Sequence, residues 1–155
     1  MKIKIETIEN LQEDEVVIKC GRMTKTIQKI YRMIADETSS EPKLTFYKKN
    51  EEYYFPLRDI LFFETNGESV YAHTADDAFL IKFRLYELEE MLPGYFARAA
   101  KSTIINIRHI LSINRNLTSS SLVQFRNSHK KVYVSRLYYP MLKQKLNERS
   151  NYEYE

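Results

Sequence analysis

The chain has 155 residues, of which 43% are hydrophobic, and its 24 Lys and Arg against 21 Asp and Glu give a net charge of +3. This composition excludes an intrinsically disordered chain, and no apolar run approaches the roughly 18 residues that a transmembrane helix needs. The charged start Met1–Glu6 is unlike a signal peptide and the single Cys20 excludes an internal disulfide, which together predict a cytoplasmic protein.

The charges are distributed unevenly along the chain. Residues 1–97 carry 13 Lys and Arg and 18 Asp and Glu, whereas residues 98–149 carry 11 basic residues and the single acid Glu148. A segment with so few carboxylates concentrates positive potential, which predicts binding to a polyanion such as nucleic acid. The alternative is a basic surface that serves only solubility.

Residues 1–42 are predicted to form an N-terminal extension of two strands and a helix. Apolar and polar side chains alternate in Ile3–Ile5 and in Val16–Cys20, as on the two faces of a strand. A helical stripe follows at Met23, Ile27, Ile30, Tyr31 and Ile34, and the polar stretch 36–42 is predicted to be a linker. Two roles remain open for this apolar stripe. It forms a contact with another molecule, either a second copy of the chain or a regulatory partner, or it packs only on the chain's own strands.

Residues 43–149 are predicted to form a mainly β domain, and residues 150–155 a tail. Strands are predicted at residues 44–47, 53–55, 59–64, 70–74, 78–83, 103–105, 110–113, 122–125 and 132–134. Asn66 and Gly67 predict a hairpin turn because both tolerate positive φ. A helix is predicted over 85–92, and a last helix is predicted to begin near Ser135 as its N-cap.

The residue pattern does not favour an enzyme. His73, His109 and His129 are scattered, and there is no metal-binding spacing, phosphate-cradling Gly loop or nucleophile elbow. The strongest enzymatic alternative is a metal-dependent nuclease built on Asp59, Glu64, Glu68 and Lys82. Acids around a hairpin are common by chance, so we predict no catalytic activity, no cofactor, no metal site and no small-molecule substrate.

Three segments carry a resemblance to a known family. Residues 56–74, PLRDILFFETNGESVYAHT, place an acidic residue before a Gly-containing turn between two strands. Residues 96–106, FARAAKSTIIN, are similar to the motif Phe-x-Arg-x-His-(Arg/Lys/Asn)-Ser-aromatic-x-x-Asn, and Val134-Ser135-Arg136 precedes the last helix. In order and spacing, residues 44–146 resemble the LytTR DNA-binding domain of bacterial response regulators.

The resemblance implies an elongated fold of antiparallel β-sheets that reads successive major grooves with loops instead of a recognition helix. It implies a DNA-binding set of Glu68, Ser69, Tyr71, Arg98, Lys101, Ser102 and Arg136. Arg136 has a planar guanidinium that can donate two hydrogen bonds to one guanine, and Lys101 has a point charge that can bind a phosphate or a guanine. For Arg98 the alternative is an ion pair with a carboxylate such as Glu64, and for Ser102 it is a turn-forming hydroxyl.

The chain departs from the family at Ala100, where His is usual, and at Val70, where some members have a polar residue that contacts a base. Asn106 is predicted to be a turn residue that tolerates positive φ. Because the 42-residue extension is too short for a receiver domain, the resemblance implies a stand-alone transcription regulator. Its expected partners are promoter DNA, which a homodimer would bind at tandem sites, and a small membrane-protein regulator.

The alternative function is an RNA- or protein-binding β module. The 12 Tyr and eight Phe residues offer stacking surfaces for single-stranded nucleic acid. Aromatic residues are also favoured in the cores of sheets, so most of them are expected to be buried.

Overall fold

The structure is a computed structural model that describes residues 1–38 and 41–148 and divides the chain into two units, Met1–Ser40 and Glu41–Glu155. The first unit contains helix α1 (Lys25–Thr38), and the Thr24 hydroxyl accepts the Ile27 N–H at 3.3 Å as an N-cap would. Part of the predicted linker and the predicted tail, residues 150–155, lie outside the described residues.

The two strands predicted in the extension are not formed. Residues 1–24, all of them described, contain no strand, and the side chains of Ile3 and Ile5 are 92% and 91% exposed. Cys20, in the second of the two predicted strands, is exposed as well. Alternation describes only which side of a strand each residue would face, whereas a strand also needs a partner for its backbone hydrogen bonds.

The second unit contains two antiparallel sheets. The strands are β1 (Phe46–Lys48), β2 (Glu51–Tyr53), β3 (Phe62–Asn66), β4 (Ser69–His73), β5 (Ala78–Ile81), β6 (Phe96–Ala100), β7 (Thr103–Asn106), β8 (Ile110–Asn114), β9 (Ser121–Phe125) and β10 (Lys131–Val134). Seven of them form a sheet in the order β2-β1-β5-β4-β3-β7-β6, and the other three form a sheet in the order β10-β9-β8. The predicted mainly β, antiparallel fold with a C-terminal helix is confirmed.

Strand β6 was not predicted as a strand. It contains three Ala residues and Arg98, and Ala has a low preference for strands. Its pairing with β7 is interrupted by a register shift between Arg98 and Ala100. A short strand of this composition gives neither an apolar run nor a clean alternation.

Two helices complete the second unit. Helix α2 (Leu85–Met91) buries Leu85 and Leu88, and helix α3 (Tyr139–Asn147) buries Leu142. The last helix begins later than predicted, because Ser135 is not its N-cap. The Ser135 carbonyl accepts the N–H groups of Tyr138 and Tyr139 at 3.2 and 3.0 Å, and its hydroxyl is buried without a hydrogen bond among the described residues.

The two sheets pack against each other through a ring stack and a lysine bridge. The Phe62 ring lies 4.2 Å from the His73 ring and 5.5 Å from the Phe125 ring of the three-stranded sheet. The ammonium of Lys130, in the β9–β10 connection, donates to His73 Nδ1 at 3.1 Å and also to the carbonyl of Asp77. Burial and the Lys130 charge lower the pKa of His73 to about 4, so its ring is neutral at pH 7.

Asn106 lies in the core instead of in a positive-φ turn. Its φ is −85° and its side chain is fully buried. The amide donates to the Ile60 carbonyl at 2.9 Å and accepts the Arg108 N–H at 3.0 Å, while its own N–H donates to the Leu61 carbonyl at 2.8 Å. These bonds attach the end of β7 to the segment that leads into β3, which explains why a polar residue occupies this position.

We predict that Asn106→Ala lowers the free energy of unfolding by about 1–3 kcal/mol, because it leaves buried backbone groups without partners. Urea unfolding of the variant measures this loss. Asn114→Ala is the matched control, since Asn114 is exposed on β8. Equal unfolding midpoints for the two variants would contradict the assigned role of Asn106.

A second prediction concerns acid stability. An unfolded chain binds the His73 proton near pH 6.5, whereas the folded protein binds it near pH 4. The stability due to neutral His73 is therefore complete above pH 6.5 and decreases as the pH falls toward 4. We expect His73→Gln to reduce the difference between the urea midpoints at pH 7 and pH 4.5. The same substitution at exposed His129 is expected to leave that difference as in the wild type.

Candidate nucleic-acid interface

Three chain segments form a row at one end of the seven-stranded sheet. They are the β3–β4 turn at Gly67–Glu68, the β6–β7 turn at Lys101–Ser102, and the β10–α3 connection that contains Arg136. The Thr65 N–H donates to the Ser102 carbonyl at 2.9 Å, which joins the first segment to the second. The Ser135 N–H donates to the Ala99 carbonyl at 2.9 Å, which joins the second to the third.

The β3–β4 turn is a two-residue hairpin. Asn66 pairs with Ser69, so Gly67 and Glu68 are the loop residues, and of these only Gly67 has a positive φ, at 64°. Asn66 was expected to share the positive φ, but it is the last residue of the ladder. Because Gly67 adopts this φ without steric cost, the turn stays tight and presents the exposed Glu68 at its tip.

Arg98 holds the β6–β7 turn in place. Its Nε donates to the Ala100 carbonyl at 2.9 Å, and its Nη2 donates to the Lys101 carbonyl at 2.5 Å. Its Nη1 pairs at 2.7 Å with Glu89 of α2, not with the Glu64 considered from the sequence, and its side chain is only 16% exposed. The guanidinium therefore fixes the turn that carries Lys101, and Arg98 acts as a positioning residue.

Lys101 and Arg136 are exposed on neighbouring segments of this row. Arg136 follows Ser135 and Lys101 lies two residues beyond Ala99, so the Ser135–Ala99 bond limits their Cα separation to about 17 Å. Neither side chain takes part in an ion pair within residues 1–38 and 41–148. Both cations are thus available to a ligand.

Exposure and position differ among the three remaining residues of the predicted DNA-binding set, Ser69, Ser102 and Tyr71. Ser69 is half-buried where β4 begins, and Ser102 is exposed in its turn with Oγ 3.4 Å from Thr103 Oγ1. The turn-forming role of Ser102 rests on its carbonyl, which accepts the Thr65 N–H. Tyr71 is half-buried in the middle of β4 opposite Glu64, so it belongs to the face of the sheet and not to the tips of the turns.

Arg115, in the loop between β8 and β9, is a cation beside Arg136 that the sequence analysis did not single out. The two arginines line one depression together with Tyr139. The only sequence signal for Arg115 is its position within the acid-poor segment 98–149. Proximity to Arg136 depends on how β8, β9 and α3 pack, which local patterns do not indicate.

The residues of the nuclease alternative do not converge. Asp59 precedes β3 and Glu68 follows it, so they are separated by roughly 17 Å of extended strand. The Lys82 ammonium lies 4.1 Å from the Tyr47 ring centroid, on the side of the sheet near β1. Across residues 1–38 and 41–148, no three His, Cys, Asp or Glu side chains are grouped as a metal site.

In the described part of the chain, none of the helices has the length and apolar character needed to cross a membrane.

The β-rich fold and the exposed cations Lys101 and Arg136 of the row are those expected of a nucleic-acid-binding domain. The sequence profile of the LytTr DNA-binding domain matches residues 50–147, and the chain belongs to this LytTR family. This family is one of DNA-binding domains and not a class of enzymes.

Relatives match over almost the whole chain. An uncharacterised HTH-type transcriptional regulator from Staphylococcus aureus strain NCTC 8325 is 29% identical over 147 residues, which cover 95% of this chain and 99% of the relative. A protein of the same description from strain MRSA252 is 28% identical over the same shares. A solved LytTr DNA-binding domain from Bacillus cereus has a TM-score of 0.62 at 24% identity, covering 68% of this chain and 97% of that one, and supports the same fold.

The name of the Staphylococcus aureus relatives includes a helix-turn-helix, but no such pair is found in the described residues of this chain. Helices α2 and α3 are separated by strands β6–β10, and α1 and α2 by strands β1–β5. A helix-turn-helix places two helices on either side of a short turn. In this chain the exposed turns of the row take the place of a recognition helix as candidates for contact with DNA.

We predict different effects of substituting Arg98 and Lys101. Arg98→Ala should lower the free energy of unfolding by about 1–2 kcal/mol, because the turn carbonyls lose a charged donor. Lys101→Ala should leave the unfolding midpoint unchanged and reduce the slope of log K against log salt concentration for duplex binding by about one if the ammonium meets a phosphate. Because Arg98 acts through the turn that carries Lys101, adding Arg98→Ala to Lys101→Ala should not reduce that slope further. A further reduction in the double variant would instead assign the Arg98 guanidinium to the DNA backbone.

Proposed function

We propose that this protein is a cytoplasmic transcription regulator that binds double-stranded DNA with sequence specificity through its row of three turns. The observation that carries the proposal is the exposure of Lys101 and Arg136 on adjacent, backbone-bonded segments of an acid-poor region. Membership of the LytTR family supports it independently. Regulation of transcription accords with the description of the relatives.

Recognition of DNA depends on the side chains exposed on the three segments of the row. Arg136 donates to guanine O6 and N7 through the parallel N–H groups of its guanidinium. Lys101 contacts a phosphate or a guanine of the same groove, since a Cα separation of at most about 17 Å lets the two side chains converge on a groove about 12 Å wide. Glu68, at the tip of the β3–β4 hairpin, accepts from the amino group of cytosine, and the Ser69 and Ser102 hydroxyls bind the backbone.

In this proposal the β3–β4 hairpin and the Arg136 segment read successive major grooves, and Tyr71 supports the hairpin from the face of the sheet. A homodimer binds tandem promoter sites, and the two half-sites lie about one helical turn or a multiple of it apart. Residues 1–42 supply the dimer contact or receive a small membrane-protein regulator. The exposed apolar side chains of this segment, such as Ile3 and Ile5, support an intermolecular role.

The direct test is selection of bound duplexes from a random pool, followed by competition with RNA and single-stranded DNA. We expect an enriched motif that repeats at the spacing of a helical turn, and we expect single strands to compete poorly. If single strands compete best, the protein is a single-strand-binding module and the duplex proposal fails.

Arg136→Ala is predicted to weaken binding to the selected site by about 1–3 kcal/mol and to relax the preference at one base pair. Lys101→Ala is predicted to weaken binding to all duplexes more evenly if its partner is a phosphate. Quantitative binding to a panel of single-base-pair variants of the site measures both effects. An Arg136→Ala protein with the wild-type base preference would remove Arg136 from direct readout.

A further inference from the structure

The loop between β8 and β9 forms one wall of a depression next to Arg136. The loop spans residues 115–120, and the opposite wall is the start of α3. The lining of the depression includes Arg115, Asn116, Ser121, Arg136 and Tyr139. Arg136 belongs also to the third segment of the row, whereas Arg115 and its loop lie outside the contacts assigned above.

The guanidinium of Arg115 is held in a defined position. Its central carbon lies 4.3 Å from the centroid of the Tyr139 ring, within the range of a cation–π contact. Tyr139 is half-buried and packs against the core, so the ring is a fixed platform. The ring occupies one side of the guanidinium, whose five N–H groups still offer donors to an anion.

The loop that carries Arg115 is ordered by its own side chains. The Asn116 N–H donates to the buried Ser121 hydroxyl at 3.1 Å. The Asn116 side-chain carbonyl accepts the N–H and the hydroxyl of Thr118 at 3.1 and 3.0 Å. Because the loop has these internal bonds, Arg115 does not depend on a ligand for its position.

The depression holds two guanidinium groups and no carboxylate. Residues 98–147 contain no Asp or Glu, and neither Arg115 nor Arg136 forms an ion pair within the described ranges 1–38 and 41–148. Two cations that share one depression repel each other, and this repulsion is relieved when an anion binds between or beside them. The charge of the depression therefore selects an anionic ligand.

We propose that Arg115 binds a phosphate of the DNA backbone that flanks the base pair contacted by Arg136, with Tyr139 as its positioning residue. The inference rests on the proposed function and extends it, because it adds a fourth segment to the DNA-binding surface. The β8–β9 loop fixes the register of Arg136 in the groove, since phosphate contacts position a protein while base contacts specify the sequence.

The experiment measures binding of the full chain to its selected duplex between 50 and 200 mM salt, for Arg115→Ala, Arg115→Lys and the control Arg126→Ala. Arg126 is exposed at the other end of β9, and its loss removes the same charge. We expect the fold-loss of affinity across this salt range to be about 3–4 times smaller for Arg115→Ala than for the wild type, which corresponds to one phosphate contact. Arg126→Ala is expected to keep the wild-type salt dependence, and Arg115→Lys to restore most of it.

The selected motif separates this inference from the proposed function. We expect Arg115→Ala to enrich the same motif as the wild type, because a backbone contact carries no base preference. A wild type without any enriched motif overturns the proposed function. A wild type with a motif and an Arg115→Ala protein with unchanged salt dependence overturns only the inference.

Tyr139→Leu tests the positioning role, since Leu preserves apolar packing but removes the ring face. We expect weaker duplex binding with an unfolding midpoint close to that of the wild type, and no further loss when Arg115→Ala is added. Additive losses would show that Arg115 does not act through the ring. Inorganic phosphate at constant ionic strength should not displace the duplex. Displacement that disappears in Arg115→Ala would identify a free-anion site and overturn the assignment to DNA.

Discussion

The hydrogen bonds and the ion pair of the Arg98 guanidinium are the interactions on which the arrangement of the three-turn row depends. The guanidinium donates to the carbonyls of Ala100 and Lys101 and pairs with Glu89 of α2, which ties the β6–β7 turn to the helix beneath it. That turn is the middle segment of the row. Thr65 bonds to it from the β3–β4 hairpin, and Ser135 bonds to the preceding strand from the β10–α3 connection. If the turn changed shape, both neighbours would lose their backbone partners, so one charged side chain fixes the relative positions of the tips.

The charges are separated according to their roles. Two carboxylates of α2 serve the scaffold, since Glu89 binds Arg98 and Glu87 accepts the Arg84 N–H at the start of the helix. The segment that follows Arg98 is nearly free of acids, so its exposed cations are not neutralised by neighbours. Polar groups within the core have a different use. Asn106 joins β7 to the entrance of β3, and neutral His73 lies between Phe62 and Lys130 where the two sheets meet. Apart from the Ser135 hydroxyl, the buried polar side chains of the described residues are satisfied internally, and the unpaired charge is left at the surface.

Much of the domain could be predicted from local pattern. The alternation in β4 and β9 and the Gly at position 67 are determined by neighbours in sequence, and they were predicted correctly. The failures share a physical cause, because each depends on a partner distant in sequence. The apolar alternation at Ile3–Ile5 pairs with no strand among residues 1–38 and 41–148, and Ala-rich β6 is a strand only because it pairs with β7. Asn106 was expected in a turn, but Ile60 supplies a buried carbonyl for its amide. The candidate site residues were identified through the family resemblance. The contact of Arg98 with Glu89 and the proximity of Arg115 to Arg136 depend on tertiary packing, which the sequence pattern does not show.

The most direct measurement of the central claim is cleavage of DNA by a tethered iron–EDTA group. The single Cys20 allows this design, because Cys20→Ser leaves a chain to which one new cysteine is added at a time. Ser102→Cys and Leu137→Cys put the reagent next to Lys101 and Arg136 without removing either cation, and Tyr54→Cys puts it after β2 at the opposite edge of the sheet. The account predicts cleavage of the bound site from the first two positions, within one helical turn of each other, and none from Tyr54→Cys. Cleavage from Tyr54→Cys, or cleavage from only one of the other two, would contradict a single DNA-binding row.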